Sequence, residues 1–514
     1  MTTDNELITN LKVAVVGCGA MGAGIAQVAA QAGHQVQLYD ARPGAAQSAV
    51  DTIRANYAKL VAKRKMESVL AEEAGQRLVA LSELDQVSGA GLVIEAIVEN
   101  LPAKSDLFSR LEAIVSEQCI LASNTSSISI TSIGAGLRNP QRLVGMHFFN
   151  PVPLMALVEV ISGLATDRIV AECVYMLCQS WGKKPVHTRS TPGFIVNRVA
   201  RPYYAESLRI ATERGASPAT LDAVLRESGR FRMGPFELMD LIGNDVNFAV
   251  TSSVFSGFFN DPRFTPSLMQ QELVSAGYLG RKSGRGFYQY GDHAAKPLVQ
   301  IEPPCDAPRE IELHADHRLA NLLASKLQTA TGRQDLQRIY FQNEDGVFLK
   351  CGQTFVYVTD GRSATQRSAD NSVPNTVLID LALNYDTTHH IALTKSDQCS
   401  DSAFQDAVGF FQFLGYTVSR LGDVPGMAVM RTVAMLINEA SDCVNQGVCS
   451  VADVDIAMCA GVNYPIGPLA WADQIGLTTI RAVLMNLGLA YGEDRYRVSP
   501  LIHRKFVSRG KFHG

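Results

Sequence analysis

A glycine-rich turn between a short apolar strand and a helix is the feature that most constrains this chain. Residues 12–16 read Lys-Val-Ala-Val-Val, and Gly-Cys-Gly-Ala-Met-Gly follows at 17–22. Small, helix-permissive residues continue to Gln31, and residues 35–39 then alternate like a second strand that ends at Asp40. This order of strand, turn, helix and strand predicts an α/β domain with a parallel sheet at the start of the chain.

The three glycines of the turn have separate physical tasks. Gly17 permits the tight turn, Gly19 lets a pyrophosphate approach the backbone, and Gly22 lets helix and strand pack closely. The free N–H groups and positive dipole at the helix start favour phosphate. Asp40 ends the second strand, at the position where a carboxylate accepts hydrogen bonds from an adenosine ribose. The pattern predicts NAD, because Asp40 would repel the 2′-phosphate of NADP, although Arg42 leaves that preference open.

Length and composition exclude several classes of protein. The 514 residues are too many for one core, so roughly three to four domains are expected. A net charge of −4 gives no reason to expect nucleic acid or an anionic membrane. Ten cysteines without a C-x-x-C pair or a zinc-type cluster predict a reduced, cytoplasmic protein without a metal. Residues 13–33 carry no charge, but their glycines and glutamines favour the strand, turn and helix over a membrane span.

Polar residues follow several of the predicted strands. These strands lie at 91–96, 119–123 and 142–147, with helical patterns at 102–116 and 129–137. Parallel strands joined by crossover helices bring their carboxyl ends to one edge, beside a bound dinucleotide. The polar residues at or just past such ends are Glu95, Glu99, Asn124, Ser126, His147 and Asn150. The sequence therefore predicts a chemical site at this edge.

His147 and Glu159 form the predicted catalytic pair. Glu159 lies in the apolar run 157–161, and a carboxylate buried there needs a partner. A carboxylate on one imidazole nitrogen fixes the tautomer, so that the other nitrogen can take a proton from a substrate hydroxyl. Taken alone, His147 is typical of a satisfied core residue and Glu159 of an edge-strand carboxylate in water. Their joint placement beside a nicotinamide site favours catalysis.

Four motifs resemble those of the NAD-dependent 3-hydroxyacyl-CoA dehydrogenases. They are Asn-Thr-Ser-Ser at 124–127, His-Phe-Phe-Asn-Pro-Val-Pro at 147–153, Leu-Val-Glu-Val at 157–160 and Thr-Pro-Gly-Phe-Ile-Val-Asn-Arg at 191–198. The resemblance runs from the start of the chain to about residue 290, with the spacings preserved. It implies oxidation of an (S)-3-hydroxyacyl-CoA to the 3-oxoacyl-CoA, with no metal.

Carried over by position, the resemblance implies a role for each site residue. His147 is the general base, Glu159 orients it, Ser126 hydrogen-bonds the reacting oxygen, and Asn197 completes the site from the second domain. CoA contacts are implied for Ser126 and Lys63. The implied NAD contacts are Gly17, Gly19, Gly22, Asp40, Glu99, Lys104, Asn150 and Lys282.

Some of these residues have a plainer interpretation as well. Ser126 precedes an apolar helix and would make a good helix cap. Asn197 is expected to open the first long helix of the second domain, and it is also compatible with an ordinary amide on a helix surface. The basic residues near Lys63 are compatible with a solvated helix face; they are Lys59, Arg64 and Lys65.

The second half repeats a helical domain, and the offset in residue numbering is 233 throughout. Val-Pro-Gly-Met-Ala-Val-Met-Arg at 424–431 mirrors residues 191–198. The tail Gly-Arg-Lys-Ser-Gly-Arg-Gly-Phe at 280–287 is expected to have no counterpart, because the chain ends at Gly514. Further matched pairs are Glu206 with Glu439, Gly234 with Gly467, Pro235 with Pro468, Asp240 with Asp473 and Gly243 with Gly476.

The second copy has lost its chemistry at this offset. Asn197 corresponds to Met430, Ser126 to Thr359 and Glu159 to Ala392. We therefore interpret this copy as structural, in the place that a partner subunit's helical domain takes in shorter relatives.

Strand-like residues at 354–359 and 376–380 and a helical pattern at 406–414 lie between the copies. They indicate a shrunken α/β domain without a glycine turn, a segment that long relatives resembling bacterial 3-hydroxybutyryl-CoA and 3-hydroxyadipyl-CoA dehydrogenases carry. The predicted architecture is a Rossmann α/β domain at 1–190, an all-α domain at 191–295, a reduced α/β domain at 325–420 and a degenerate all-α copy at 421–514.

Two other functions stay open at this point. A dehydrogenase for a free small hydroxy acid has a similar two-domain plan, but the pair of His147 and Glu159 argues against it, because the resembling hydroxy-acid family uses a lysine at the helical domain. A non-catalytic NAD-binding protein would not require intact Ser126, His147, Glu159 and Asn197. Chain length of the acyl group, a dicarboxylic preference, the pathway (fatty acid or phenylacetate breakdown) and a homo-oligomeric state are not determined by these residues.

Overall fold

The computed structural model describes residues 11–292, 294–314, 317–331, 338–339 and 346–514. Parts of the predicted 1–190 and 325–420 domains, namely residues 1–10, 332–337 and 340–345, lie outside this description. The chain divides into a first unit, Met1–Arg198 with Gln446–Val462, and a second unit, Val199–Asn445 with Asn463–Gly514.

The strands and helices are numbered in chain order. The strands are β1 Val13–Val16, β2 Val36–Tyr39, β3 Leu78–Ala80, β4 Leu92–Glu95, β5 Ile120–Ser123, β6 Leu143–Phe148, β7 Leu157–Ser162, β8 Lys184–Arg189, β9 Ile311–His314, β10 Arg338–Ile339, β11 Val347–Cys351, β12 Thr354–Val358, β13 Thr376–Ile379, β14 His390–Lys395 and β15 Thr417–Arg420. The helices are α1 Ala20–Gln31, α2 Ala45–Ala62, α3 Ser68–Gln76, α4 Leu101–Ile114, α5 Ile130–Gly134, α6 Arg168–Ser180, α7 Val196–Val199, α8 Arg201–Thr212, α9 Pro218–Glu227, α10 Pro235–Ile242, α11 Asn244–Gly257, α12 Leu268–Ser275, α13 Arg318–Thr331, α14 Ala364–Asn371, α15 Asp401–Phe413, α16 Val429–Asn445, α17 Val451–Val462, α18 Pro468–Ile475, α19 Leu477–Tyr491 and α20 Pro500–Val507.

The first unit contains an eight-stranded sheet in the order β3-β2-β1-β4-β5-β6-β7-β8. Strands β1 to β6 are parallel, β7 runs antiparallel to β6, and β8 runs parallel to β7. The uncharged residues 13–33 form β1, the glycine turn and α1, so the predicted Rossmann-type start is confirmed. Among the described residues, no helix is both long and apolar enough to cross a membrane.

The second unit contains a seven-stranded sheet in the order β10-β9-β11-β12-β13-β14-β15. Its last four strands repeat the directions of β5 to β8, with β13 and β14 antiparallel between two parallel pairs. The strand starts Thr376, His390 and Thr417 correspond to the starts of β6, β7 and β8 at the same constant offset in numbering. The reduced α/β domain is therefore confirmed as a fold, and the duplication extends into its sheet.

The first sheet packs against a helix from the second helical copy, and the second sheet packs against a helix from the first helical copy. Helix α17 packs against β7 and β8 in the first unit, and the N–H of Arg189 donates to the carbonyl of Val448 at 2.9 Å. In the second unit α9 packs against β14, and the N–H of Gly422 donates to the carbonyl of Gly215 at 2.7 Å. The predicted 421–514 segment is thus divided between the two units.

A buried ion pair joins the two helical copies within the second unit. Arg431 of α16 lies 2.8 Å from Glu206 of α8, and neither side chain is more than 1% exposed. Burial raises the pKa of Glu206, but the charge of Arg431 outweighs this and holds the pKa below its ordinary value. Arg431 also donates to the hydroxyls of Tyr491 and Tyr496. The guanidinium is therefore surrounded by acceptors, which a buried charge requires.

Two sequence predictions about the helical copies are wrong. Asn197 does not open a long helix, since α7 stops at Val199 and α8 starts at Arg201, because Pro202 has no N–H to continue the ladder. The glycine-rich tail does have a counterpart. The N–H groups of Phe512 and His513 donate to Asp473 at 2.9 and 2.8 Å. In the first copy the N–H groups of Phe287 and Tyr288 donate to Asp240 in the same way.

Replacing Arg431 with alanine should destabilise the protein strongly. Glu206 would stay buried with only the Tyr496 hydroxyl and the more distant Arg495, at 3.9 Å, beside it, and loss of one member of a buried pair costs roughly 3–5 kcal/mol. The melting temperature, measured by calorimetry, should fall clearly below that of the wild type. Arg504→Ala, which removes an exposed arginine from α20, should leave it nearly unchanged. Equal melting temperatures for both variants would contradict the importance of the buried pair.

Candidate active site

The glycine turn shows which glycines the protein itself requires. Gly17 has a φ of 100°, and a Cβ there would lie 2.5 Å from the carbonyl oxygen of Ala96. A Cβ on Gly22 would lie 1.8 Å from the carbonyl oxygen of Gly17. No described atom lies within 4 Å of the corresponding point at Gly19, where α1 begins. The open side of the turn is therefore at Gly19 and the helix start, which suits a phosphate.

Asp40 joins the end of β2 to this turn. It accepts a hydrogen bond from the N–H of Cys18 at 2.8 Å and another from the N–H of Arg42 at 2.9 Å. The side chain of Arg42 folds over the carboxylate, with Nε 3.0 Å from Oδ1. This guanidinium lowers the pKa of Asp40 to about 2. An ionised carboxylate and an exposed cation thus lie side by side where the predicted ribose would bind.

A buried charge network lies at the ends of β4 and β5. Glu95 is fully buried and accepts hydrogen bonds from Lys104 and from the Ser123 hydroxyl, both at 2.6 Å. Lys104 is 1% exposed and lies 3.2 Å from Glu99 as well. Lys104 was predicted to contact NAD directly, but here its ammonium is enclosed by two carboxylates. Its visible effect is to hold Glu99 in place.

Glu99 holds the loop that follows β5 by accepting several hydrogen bonds from it. Its Oε1 accepts hydrogen bonds from the hydroxyls of Thr125, Ser126 and Ser127, at 2.7, 3.1 and 3.1 Å. Burial raises the pKa of Glu99, but the Thr125 hydroxyl and the charge of Lys104 outweigh this and lower it. The side chain of Asn197 donates to the carbonyl of Ser126 at 3.4 Å. The structure thus brings Glu99, Ser126 and Asn197 together.

His147 and Glu159 face each other across the antiparallel strands β6 and β7. Nδ1 of His147 lies 2.7 Å from Oε2 of Glu159, and both side chains are buried. The other carboxylate oxygen accepts the N–H groups of Ile195 and Val196 at 3.0 and 2.9 Å. This geometry places a proton on Nδ1 and leaves the Nε2 lone pair as an acceptor. In the described part of the chain no protein group hydrogen-bonds Nε2.

The loop after β6 is held by a buried lysine. Lys183 donates to the carbonyls of Val152 and Met155 at 2.6 and 2.9 Å. Burial lowers the pKa of this ammonium. Asn150, predicted to contact NAD, is exposed at the start of the same loop. The Phe149 ring lies 4.4 Å from the imidazole of His147, so the loop shields one side of the histidine.

Two predicted ligand contacts, Lys63 and Lys282, are exposed lysines. Lys63 is exposed just past the end of α2, and no described contact links it to His147 or Ser126. Lys282 lies in the second unit, where its ammonium is 2.6 Å from Asp245. Among the described residues, no group of three or more His, Cys, Asp or Glu side chains could hold a metal ion.

The second unit shows what the degenerate copy keeps. Asp380 is the counterpart of His147 at the constant offset, and its N–H donates to the carbonyl of Ala392, the counterpart of Glu159. Its carboxylate accepts the N–H groups of Ala428, Val429 and Met430 at 2.9, 2.7 and 3.0 Å. Burial raises the pKa of Asp380 to about 6 despite these donors. Asp380 therefore keeps the contact with the helix start that Glu159 makes in the first unit, without an imidazole.

Comparison with known proteins agrees with this architecture. The family model "3-hydroxyacyl-CoA dehydrogenase, NAD binding domain" matches residues 12–191, and the corresponding C-terminal domain matches 193–290 and again 426–513. The "3-hydroxybutyryl-CoA dehydrogenase reduced Rossmann-fold domain" matches 356–425. A 3-hydroxyadipyl-CoA dehydrogenase of Escherichia coli K12 is 43% identical over 96% of this chain and 97% of its own. The chain belongs to the 3-hydroxyacyl-CoA dehydrogenase family.

Other relatives show how the long and short members of the family differ. A crystal structure of 3-hydroxybutyryl-CoA dehydrogenase from Escherichia coli K12 matches 97% of this chain and 99% of that chain, with a TM-score of 0.88 and 42% identity. A probable 3-hydroxybutyryl-CoA dehydrogenase of Bacillus subtilis is 41% identical but covers 54% of this chain and 97% of its own. This 3-hydroxyacyl-CoA dehydrogenase is thus an NAD-dependent oxidoreductase of the long type.

Sequence reasoning missed two features of this dehydrogenase. Glu95 is predicted to lie at a strand end, but its buried contact with Lys104 is not predicted. The signal was available, because Glu95 is a carboxylate within the apolar run 91–96, as Glu159 is within the run 157–161. The correspondence of His147 with Asp380 follows from the constant offset, but only the contacts of Asp380 show what it does. No pattern in the sequence indicates that Lys104 is buried.

Replacing Asp40 with serine should shift the cofactor preference toward NADP. The change removes a charged acceptor and releases Arg42 for a 2′-phosphate, so we expect the ratio of kcat/KM for NAD to that for NADP to fall roughly 10- to 100-fold. Steady-state rates with both cofactors measure it. Adding Arg42→Ala should abolish the gain with NADP, and an unchanged ratio in Asp40→Ser would contradict this role of Asp40.

Proposed function

We propose that His147 is the general base of the dehydrogenase and that Glu159 orients it. The observation that carries this proposal is the 2.7 Å contact between Nδ1 and the buried carboxylate, which leaves Nε2 as the acceptor. In oxidation, Nε2 takes the proton of the 3-hydroxyl group, and Glu159 stabilises the imidazolium that forms. In reduction the same nitrogen returns the proton to the 3-oxo oxygen.

We further propose that Ser126 and Asn197 position the reacting oxygen. The Ser126 hydroxyl can donate to it by leaving Glu99, since the Ser126 N–H also binds Glu99, at 2.9 Å, and keeps the loop in place. Asn197 contributes an amide at the start of the helical segment and is tied to the Ser126 carbonyl. Both residues supply dipoles where negative charge develops on the oxygen.

Two observations support binding of NAD at the glycine turn. The turn is open at Gly19, where the N–H groups of α1 begin, and Asp40 is ionised at the end of β2. When bound, the nicotinamide supplies the acceptor for the hydride from carbon 3. We propose that Gly17, Gly19, Gly22 and Asp40 hold the adenosine and pyrophosphate. Contacts from Glu99, Asn150, Lys104 and Lys282 remain proposals, and Lys104 could act only through Glu99.

For the substrate we propose a short (S)-3-hydroxyacyl-CoA of the 3-hydroxybutyryl or 3-hydroxyadipyl class. The names of the long relatives support this range, and Lys63 remains a proposed CoA contact. The pair of imidazole and carboxylate disfavours the alternative, a free hydroxy acid. A cytoplasmic location and a homo-oligomer are also retained as proposals.

Replacing His147 with glutamine should lower kcat by roughly 10²–10⁴-fold, because the base is lost while the shape is nearly kept. Binding of NADH, followed by its fluorescence, should be unchanged, since no proposed cofactor contact is altered. His187→Gln removes a partly exposed histidine from β8 of the same sheet and should leave both quantities unchanged. Wild-type turnover in His147→Gln would remove the proposed base.

NADH production should require a CoA ester. We expect turnover of (S)-3-hydroxybutyryl-CoA and (S)-3-hydroxyadipyl-CoA, measured by absorbance, and no turnover of free 3-hydroxybutyrate. The ratio of kcat/KM for the two esters then decides between a monocarboxylic and a dicarboxylic preference. Turnover of the free acid at a comparable rate would support the alternative function.

A further inference from the structure

We infer that Gly461, in helix α17 of the second helical copy, positions the His147–Glu159 pair. The absence of a side chain at Gly461 leaves room for the two residues that hold Glu159 in place. This inference rests on the proposed function, because it assigns Gly461 to the same pair. It gives the second copy, which has no catalytic residues of its own, a part in the reaction.

Gly461 lies against two buried side chains of the first unit. A Cβ built on Gly461 would be 2.5 Å from Cδ2 of Leu157 and 3.2 Å from Cγ2 of Val196. The first distance is shorter than any tolerated carbon contact, and the second is tight. Leu157 and Val196 are 0% and 2% exposed, so neither can rotate into solvent. A side chain at position 461 must therefore push the buried side chain of Leu157 against its neighbours or displace the start of α7.

Both neighbours of Gly461 are connected directly to Glu159. Leu157 begins β7, and residues two apart on a strand point to the same face, so Leu157 and Glu159 share the face that α17 covers. The N–H of Val196 donates to Oε1 of Glu159 at 2.9 Å. Val196 also precedes Asn197. Displacement of either neighbour would therefore reach the carboxylate, and through it His147.

The second unit provides an internal comparison. At the constant offset between the copies, Gly461 corresponds to Ser228 at the end of α9, and Leu157 corresponds to His390. The Ser228 hydroxyl donates to the carbonyl of His390 at 2.6 Å, and its own carbonyl accepts the N–H of Leu383 at 2.8 Å. The second unit, which has no counterpart of the His147–Glu159 pair, thus accommodates a side chain at the position that corresponds to Gly461. The copy that contains the pair has glycine.

Glycine at this position also weakens its own helix. Gly461 lies in the last turn of α17, where glycine is less favourable than alanine by up to roughly 1 kcal/mol, the value for a helix interior. Helix propensity alone would therefore make Gly461→Ala neutral or stabilising, so a loss in this variant would come from the contacts with Leu157 and Val196. If Gly461 positions the pair, the same substitution lowers turnover.

The test is the effect of Gly461→Ala on kcat in two backgrounds. In the wild type we expect kcat to fall roughly 10- to 100-fold, since small misplacements of catalytic groups have effects of this size. NADH binding should be unchanged. In His147→Gln, Gly461→Ala should have almost no further effect, because the base that it displaces is already absent. A structural role alone would lower kcat by the same factor in both backgrounds.

Two further variants keep the test decisive. Valine at position 157 lacks the Cδ2 atom that the new methyl group would contact. The double variant Leu157→Val with Gly461→Ala should therefore recover most of the turnover that Gly461→Ala loses. This holds even if part of that loss is caused by misfolding. Ala452→Val adds bulk to the exposed face of α17 and should leave kcat unchanged. Wild-type kcat in Gly461→Ala, or equal losses in the two backgrounds, would overturn the inference. Wild-type kcat in His147→Gln would instead overturn the proposed function.

Discussion

The carboxylate of Glu159 is the interaction on which the rest of the site depends. One of its oxygens binds the imidazole of His147, and the other binds two N–H groups at the start of α7. A fully buried carboxylate costs several kcal/mol unless it is paired and hydrogen-bonded. Strand β7, strand β6 and the loop before α7 must therefore all be in place before Glu159 is tolerated. The same contacts that satisfy the charge orient the histidine.

The second copy keeps the contact between a buried carboxylate and a helix start but lacks the histidine. Asp380 binds the start of α16 as Glu159 binds the start of α7, but no imidazole is attached to it. Phe194 and its counterpart Met427 both have a positive φ, 48° and 55°. The strained loop is thus present with and without the histidine, so it belongs to the fold. The first unit differs in having the His147–Glu159 pair and the loop after β5 that hydrogen-bonds Glu99.

Sequence reasoning was most successful where a contact is determined by strand pairing or by a turn. The short separation of His147 and Glu159 along the chain places them opposite each other in two antiparallel strands, and the glycine turn has few possible conformations. It was least successful where side-chain burial decides the outcome. Lys104 is a lysine on a helix, and only the packing of β4 and β5 shows that it is enclosed by carboxylates. The tail contact with Asp473 was missed because the spacing between matched residues changes there.

The packing of helices α9 and α17 gives each helical copy a structural role at the sheet of the other copy. Each sheet buries apolar surface against a helix whose sequence belongs to the helical domain of the other copy. In a single chain the two copies are covalently linked, so each helix is present at a high effective concentration at its sheet. The helical copies also keep the buried pair of Arg431 and Glu206, although the counterparts of Ser126, Glu159 and Asn197 are Thr359, Ala392 and Met430. Loss of α17 would expose β7, the strand that carries Glu159.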